Sequence, residues 1–416
     1  MAEALLAQPL AEKPAHVPAD LVHAFDLHND QGLSRDPHAR ILELMATTPP
    51  VFWSPCEGGQ WVLRSHAAVY RAWRDTDLFS SQHVSDAEMA AMLSGRRSGQ
   101  FDIPLPVPIT IDPPLHGVLR APLQKVFSPR GAIAMQDKIR ALAVELIEAV
   151  KPDGRCEWMH DVAEPLPVRV FLELLGLPVE NYPEYRKLVT ELMRESVPDP
   201  REAMKRLRRI ADAMRPTIVE RLAAPRGDLI SLLLATEIDE RKATLEDVEN
   251  YGVLLFIAGL DTVVNGLGFA ARHLASDLAL QRKLRGDPGQ IPEAVEEMLR
   301  RYSFVSVPRR LRRDVVFDGI AMRAGDRALL LAPAANLDPD EFPAPERFEL
   351  DRENNVHIAF GLGPHRCLGS HLARVELQIV YEEALARLPE FRLDPGQPPT
   401  FHGGNVIGID SLHLVW

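Results

Sequence analysis

The 416-residue sequence predicts a mainly α-helical globular protein with small β-sheets. Three observations predict it: long stretches repeat apolar residues at spacings of three and four, the strand-like runs are short, and prolines gather in the connectors between them.

The helical stretches are 133–151, 202–223, 244–276, 292–302 and 370–388. The strand-like runs are 51–53, 60–63, 315–317, 328–331 and 412–416. The 35 prolines, about 8% of the chain against ~5% in average proteins, concentrate at 104–108, 113–114 and 333–345, where they mark irregular connectors. Thr244 and Asp247 have the spacing of a capping box, so a helix starts there. It continues for about thirty residues, which at ~1.5 Å per residue spans roughly 45 Å. It is apolar on nearly every face, so it runs through the interior as a central helix.

Hydrophobic residues make up 46% and charged residues 25%, ordinary globular usage that argues against disorder or a fibrous fold. The net charge of −12 would repel a nucleic-acid polyanion, so nucleic acid is not expected as a partner. Arginines do cluster at 300, 301, 309, 310, 312 and 313, which suits a solvated face, an acidic partner or the anionic groups of a cofactor. The odd set Cys56, Cys156 and Cys367 is no disulfide framework and fits a reducing cytoplasm. Residues 1–20 lack both a basic n-region and a continuous apolar core, and are expected as a flexible arm before a single domain over 21–416. The apolar run 251–271 carries Asp261 and Asn265, so a buried helix is expected rather than a membrane span.

The most informative segment is Phe360-Gly-Leu-Gly-Pro-His-Arg-Cys-Leu-Gly369, with three glycines, a proline and a cysteine just before a helix. Such a loop holds the sulfur at a helix N-terminus, where the dipole and free N–H groups favour thiolate over thiol. Gly361, Gly363 and Gly369 permit close backbone approach to a flat ligand. Cys56 and Cys156 have no such surroundings and are read as structural. On the central helix Leu254, Ala258, Asp261, Thr262 and Asn265 fall on one stripe, which places an acid and a hydroxyl on one face. Burying Asp261 is costly unless it is paired or used, and Gly259 weakens the helix by roughly 1 kcal/mol relative to alanine.

Phe360, Gly363, Cys367 and Gly369 resemble the signature Phe-x-x-Gly-x-x-x-Cys-x-Gly of the cytochromes P450, and Gly259-Leu-Asp-Thr-Val-Val-Asn265 resembles the family's oxygen-binding groove. The likeness runs from about 112 to 416 and is nearest the camphor-hydroxylase branch of the soluble bacterial members. It implies a triangular, mainly α fold with the long central helix over haem b (iron protoporphyrin IX), and Cys367 as the axial thiolate ligand of iron. By the same resemblance Gly259 makes room for dioxygen, Thr262 hydrogen-bonds it, and Asp261 relays protons.

The resemblance assigns further roles. His116, Arg120, Arg309 and His365 pair the haem propionates, and Phe360 and Gly369 line the cofactor beside Cys367. Glu297, Arg300 and Arg347 form a structural Glu-Arg-Arg network, with Arg347 drawn from Pro345-Glu-Arg-Phe348. Substrate-pocket positions are Gln100, Pro104, Leu254, Ile257, Ala258, Val305, Val307, Asn405 and Val406. The tyrosine that the camphor enzyme places before its Asp-Pro-Pro motif is absent, with Pro104 or Gln100 in its place, and Val307 replaces an aspartate. A compact terpenoid or norisoprenoid is therefore expected as substrate, with electrons passing from NADH through a flavoprotein reductase and a [2Fe–2S] ferredoxin that docks on the Cys367 side near Arg120. A cytoplasmic monomer free of membranes is implied. The alternatives are a peroxide-driven enzyme of the same fold, and a haem-binding sensor or carrier.

Overall fold

The structure is a computed structural model and describes residues 10–82, 84–85, 87–91, 104–193, 200–238 and 240–416. It contains two compact units, one of Met1–His83, Gly268–Cys367 and Arg392–Leu414, the other of Val84–Leu267, Leu368–Phe391 and Val415–Trp416. The elements that position the site are β1 (Val51–Ser54), β2 (Gln60–Leu63), α1 (His66–Arg74), β3 (Phe79–Ser80), α2 (Leu115–Gln124), α3 (Gln136–Val150), α4 (Pro165–Leu175), α5 (Pro200–Ala223), α6 (Leu245–Gly259), α7 (Thr262–Ser276), α8 (Ile291–Arg301), β4 (Ser306–Leu311), β5 (Arg327–Leu331) and α9 (Ser370–Arg387). Mainly helical with small sheets, the chain has the architecture its patterning predicts.

The first unit is built on a five-stranded sheet in the order β1-β2-β5-β4-β3. β1 and β2 form an antiparallel hairpin whose reversal uses three left-handed residues in succession, Glu57, Gly58 and Gly59. β2 runs parallel to β5, and β5 antiparallel to β4. The arginine-rich run after residue 305 was not expected as a strand. β4 tolerates Pro308 because its neighbour β3 pairs only with Arg310 and Leu311, which leaves Pro308 at an edge. Trp53, Trp61, Leu63, Trp73, Phe79, Leu330 and Ile358 form the apolar core of this sheet. The segment expected as a flexible arm packs from Ala11 onward: Ala11 N–H donates to Pro55 O at 2.8 Å, Val17 is buried, and the His16 ring meets Asp326 at 2.9 Å. Residues 1–9 lie outside the description.

Elsewhere in this unit Phe269 stacks with Tyr302, Phe304 and Phe401, and the buried His38 and half-buried His273 lie beside these rings. His38 Nε2 meets Ser303 O at 2.9 Å, and His273 Nδ1 meets the Tyr302 hydroxyl at 2.8 Å. Burial, reinforced by the Arg301 charge, pushes His38 down to about 3, and burial brings His273 down to about 4. In the unfolded chain both take up protons below their ordinary 6.5, while the fold resists until far lower pH. Their contribution is thus complete above about 6.5 and is lost as pH falls, by roughly 1.4 kcal/mol per pH unit for each histidine. Urea midpoints measured from about pH 7 to 5 are expected to fall with pH, and His38→Gln to reduce that slope by about one proton. Parallel slopes for variant and parent would contradict the assignment.

The second unit is helical. Its core joins Phe171, Leu172 and Leu175 of α4 to Ile210 and Met214 of α5 and to Tyr251, Leu254 and Phe256 of α6. α9 lies against α3, clamped by Arg140 with Glu382 and Glu383, and by Arg387 with Glu148. The expected central helix exists but is not continuous: α6 ends at Gly259 and α7 begins at Thr262. α6 opens with the predicted capping box, Asp247 N–H to Thr244 Oγ1 at 3.2 Å and Thr244 N–H to Asp247 Oδ2 at 2.8 Å. The break has a local cause. Past the weak helix former Gly259, polar side chains compete for backbone groups: Thr262 Oγ1 donates to Ala258 O at 3.0 Å, and Asn265 Nδ2 to Asp261 O at 2.9 Å. Leu245–Ser276 taken together is long and apolar enough to cross a membrane, yet 72% of its most apolar window is buried inside the protein.

Candidate functional site

In the first unit the site rests on a buried ionic platform. Glu297 and Arg300 are three apart on α8 and both fully buried, so their charges must be satisfied locally. Arg300 binds Glu297 through two N–H donors, Nη2 to Oε1 at 2.7 Å and Nε to Oε2 at 2.8 Å. Its Nη1 donates to the carbonyls of Asn336 and Pro345, each at 2.9 Å. The third member expected was Arg347. That expectation is corrected: Arg347 is exposed and offers only its carbonyl, which accepts from Arg300 Nη2 at 3.1 Å and Arg352 Nη2 at 3.0 Å. The side chain on Glu297 is that of Arg352, Nε to Oε1 at 3.1 Å. The Pro-Glu-Arg-Phe turn brings its backbone carbonyls to Arg300 rather than its arginine to Glu297, and Arg352 lies five residues further on.

From this platform a chain of hydrogen bonds leads to the cysteine loop. Asn336, whose carbonyl Arg300 holds, accepts from Ile358 N–H through its side-chain oxygen at 2.8 Å. Gly361 N–H donates to Ile358 O at 3.0 Å, Arg366 N–H to Gly363 O at 3.1 Å, and Cys367 N–H to Phe360 O at 2.8 Å. Gly361 and Gly363 are left-handed, with φ of 66° and 67°, so the loop needs the glycines that its sequence supplies. Cys367 is exposed, outside any disulfide, and stands three residues before α9, whose N-cap is Gly369. The other cysteines differ: burial pushes the Cys156 thiol far above its ordinary range, and Cys56 is raised as well. His365 closes the short turn Gly363–His365 inside the loop.

The strand β4 orders the other residues of this unit. Val305, Val307 and Arg309 alternate with Ser306, Pro308 and Arg310, so the first three share one face. Val305 pairs with Val406, Ser306 N–H donates to Asn405 O at 2.7 Å, and Ile407 N–H donates to Phe304 O at 2.8 Å. Four of the expected pocket residues, Val305, Val307, Asn405 and Val406, are thereby brought together.

In the second unit the interruption between α6 and α7 is the central feature. Leu254 is buried on one side and Val263 on the other, yet Ala258 is exposed and Ile257, Gly259 and Thr262 are partly so. Asp261 is buried, and its carboxylate accepts from Asn265 Nδ2 at 3.3 Å. Gly259 was expected to make room for dioxygen. A Cβ there would stand 3.1 Å from two ring carbons of Phe171, so its missing side chain also accommodates α4. His116 and Arg120 are one turn apart on α2, His116 buried and Arg120 partly so, and the Tyr251 hydroxyl of α6 ties that helix down through Leu119 O at 2.8 Å. Asn250 Oδ1 accepts from Leu105 N–H at 3.0 Å, which fixes the chain beside the buried Pro104. Gln100 lies outside the described residues.

The profile of the family described as Cytochrome P450 matches residues 178–410, more than half of the chain. The chain belongs to the cytochrome P450 family. Its catalysis is that of a cytochrome P450 monooxygenase, an oxidoreductase. The chain is 36% identical over 412 residues to a "Probable cytochrome P450 127A1" of Sinorhizobium fredii (strain NBRC 101917 / NGR234), covering 97% of this chain and 96% of the relative. It is 34% identical over 365 residues to a "Steroid C26-monooxygenase" of Mycobacterium tuberculosis (strain CDC 1551 / Oshkosh), covering 85% and 98%. The crystal structure of CYP101J2 superposes with a TM-score of 0.85 at 33% identity over 98% of this chain and 100% of that one. That of CYP101C1 gives 0.85 at 35% identity over 97% and 100%. Both neighbours support the camphor-like branch.

Haem is the cofactor that this cytochrome P450 family implies. The residues fit it: an exposed cysteine on a closed glycine loop offers one sulfur, the donor that haem of this family takes. Asn265, Arg352, Asn336 and Tyr251 escaped sequence reasoning as supports of the site. Asn265 alone left a signal, its place on the Asp261 stripe.

Proposed function

We propose that this cytochrome P450 hydroxylates a small hydrophobic terpenoid or norisoprenoid of the camphor or ionone kind, using one atom of O2 and two electrons delivered singly. NADH supplies the electrons through a flavoprotein reductase and a [2Fe–2S] ferredoxin that docks on the surface bearing Cys367. The observation that carries the substrate class is the aliphatic stripe of Val305 and Val307 on β4, backed by Val406. A surface of branched alkyl groups recognises shape, and Asn405 is the polar side chain available beside it to orient a single oxygen. Leu254 and Ile257 on α6 are apolar as well. Likeness to CYP101J2 and CYP101C1 over nearly the whole chain supports the reading.

Bound haem, held through the Cys367 sulfur, supplies the oxygen activation. The protein's residues prepare the surroundings. The Thr262 hydroxyl donates to Ala258 O and keeps lone pairs with which to hold a proton donor at the open face. Asp261, steadied by Asn265, feeds protons towards that hydroxyl from the buried side. His116, Arg120, Arg309 and His365 pair the propionates, and Phe360 and Gly369 line the cofactor next to the sulfur.

The test is one titration with two arms. Camphor and β-ionone are expected to shift the ferric spin state, and cholesterol is not; indifference to both terpenoids alongside a response to the steroid would replace the substrate class. With the responding compound, Thr262→Ala is expected to divert NADH electrons to hydrogen peroxide, lowering product per NADH by about tenfold or more. Unchanged coupling would remove Thr262 from the mechanism.

A further inference from the structure

The Phe360–Cys367 loop is closed on itself by backbone hydrogen bonds, so its placement depends on what it rests against. That support is α1. A Cβ at Gly361 would meet Trp73 Cε2 at 3.4 Å, Cζ2 at 3.6 Å and Nε1 at 3.7 Å, while one at Gly363 would meet Trp73 O at 2.8 Å. Both left-handed glycines thus turn their bare side to the same residue, one to its indole and one to its carbonyl. Trp73 is itself immobilised. It is 5% exposed, packed in the apolar core with Val69 and Ile358, with Leu362 against that cluster. Its helix is fixed at the other end by Ser65, which accepts from Ala68 N–H at 3.3 Å, and by His66 N–H donating to the buried Asp338 at 2.8 Å. Asp338 lies two residues beyond Asn336, the residue through which the Glu297 platform reaches Ile358.

We propose that Trp73 is a positioning residue for the Cys367 sulfur: its indole is the stop against which Gly361 is set, and a shorter side chain lets the loop slide. The proposal rests on the reading of Cys367 as the iron ligand. The two supports differ in kind. The Glu297 network grips the chain before the loop through hydrogen bonds, whereas Trp73 bears on the loop itself through van der Waals contact, which decays within an ångström of separation. The atoms that face the bare side of Gly361 belong to the indole's fused edge, so phenylalanine fills only part of the space and alanine none.

The experiment compares haem-loaded full-length parent, Trp73→Phe, Trp73→Ala and Phe79→Leu. Phe79 is fully buried in the same apolar core and serves as the control for general destabilisation. Two quantities are read: the rate at which the thiolate-type band of the reduced carbon monoxide complex converts to the shorter-wavelength form, and amide exchange of the peptide containing Phe360–Cys367. Trp73→Ala is expected to accelerate both several-fold, Trp73→Phe less, and Phe79→Leu neither, even where its unfolding midpoint falls as far. Should Trp73→Ala fail to fold, Trp73→Phe against Phe79→Leu decides alone. Parent-like rates in the Trp73 variants, or equal acceleration by Phe79→Leu, overturn the proposal. Absence of a thiolate-type band in the parent would instead strike the ligand assignment, and the exchange measurement would still decide whether Trp73 holds the loop.

Discussion

Cys367→Ala is expected to lose monooxygenase turnover to background while the protein stays folded. Cys367 is exposed, and its N–H bond to Phe360 O is one that alanine retains, so the loop keeps its backbone closure. The loss is therefore chemical. A thiolate ligand pushes electron density towards the iron and favours cleavage of the O–O bond, and no neighbouring side chain supplies an equivalent donor. Turnover with NADH and the ferredoxin chain, measured beside an unfolding midpoint, separates the two effects. Retained product formation would show that the sulfur is not the ligand. Cys156→Ala is the matched control, since its thiol is buried and held protonated.

The second large effect is on stability. Glu297→Ala is expected to cost about 3–5 kcal/mol, because it leaves the fully buried Arg300 guanidinium without its counter-charge and strips Arg352 of the same partner. Arg352→Ala should cost less, since Arg300 still neutralises the acid. Arg347→Ala should fall within about 0.5 kcal/mol, because its exposed side chain is idle and alanine keeps the carbonyl. Chemical denaturation of the three variants gives the order directly. A large loss at Arg347 together with a small one at Arg352 would reverse the assignment of the third member of the network.

What was legible in the sequence follows the range of the forces involved. The capping box at Thr244, the helix over Ser370–Arg387 and the strands at Val51–Ser54 and Gln60–Leu63 are local patterns with local causes, and the structure forms them where periodicity places them. The glycine loop was legible because a left-handed backbone permits few residues. The break at Leu260 was not, since apolar periodicity continues through it and the interruption arises from side chains turning back on the backbone. β4 was missed because proline and arginines hide a strand that its pairing with β5 and β3 stabilises. Arg352 could not be distinguished from Arg347 by spacing, as both lie near the same turn and only packing decides which side chain reaches Glu297. The packing of Gly259 on Phe171 was hidden for a related reason: Phe171 is 88 residues away, and only the fold brings the two together.

The proposed chemistry depends above all on Cys367 binding iron as a thiolate. The most direct measurement is the absorption spectrum of the purified protein, reduced and saturated with carbon monoxide. It should show the strongly red-shifted Soret band of thiolate-ligated haem, absent from Cys367→Ala. A band at the shorter wavelength typical of histidine ligation, or a colourless protein that takes up no haemin, would contradict it.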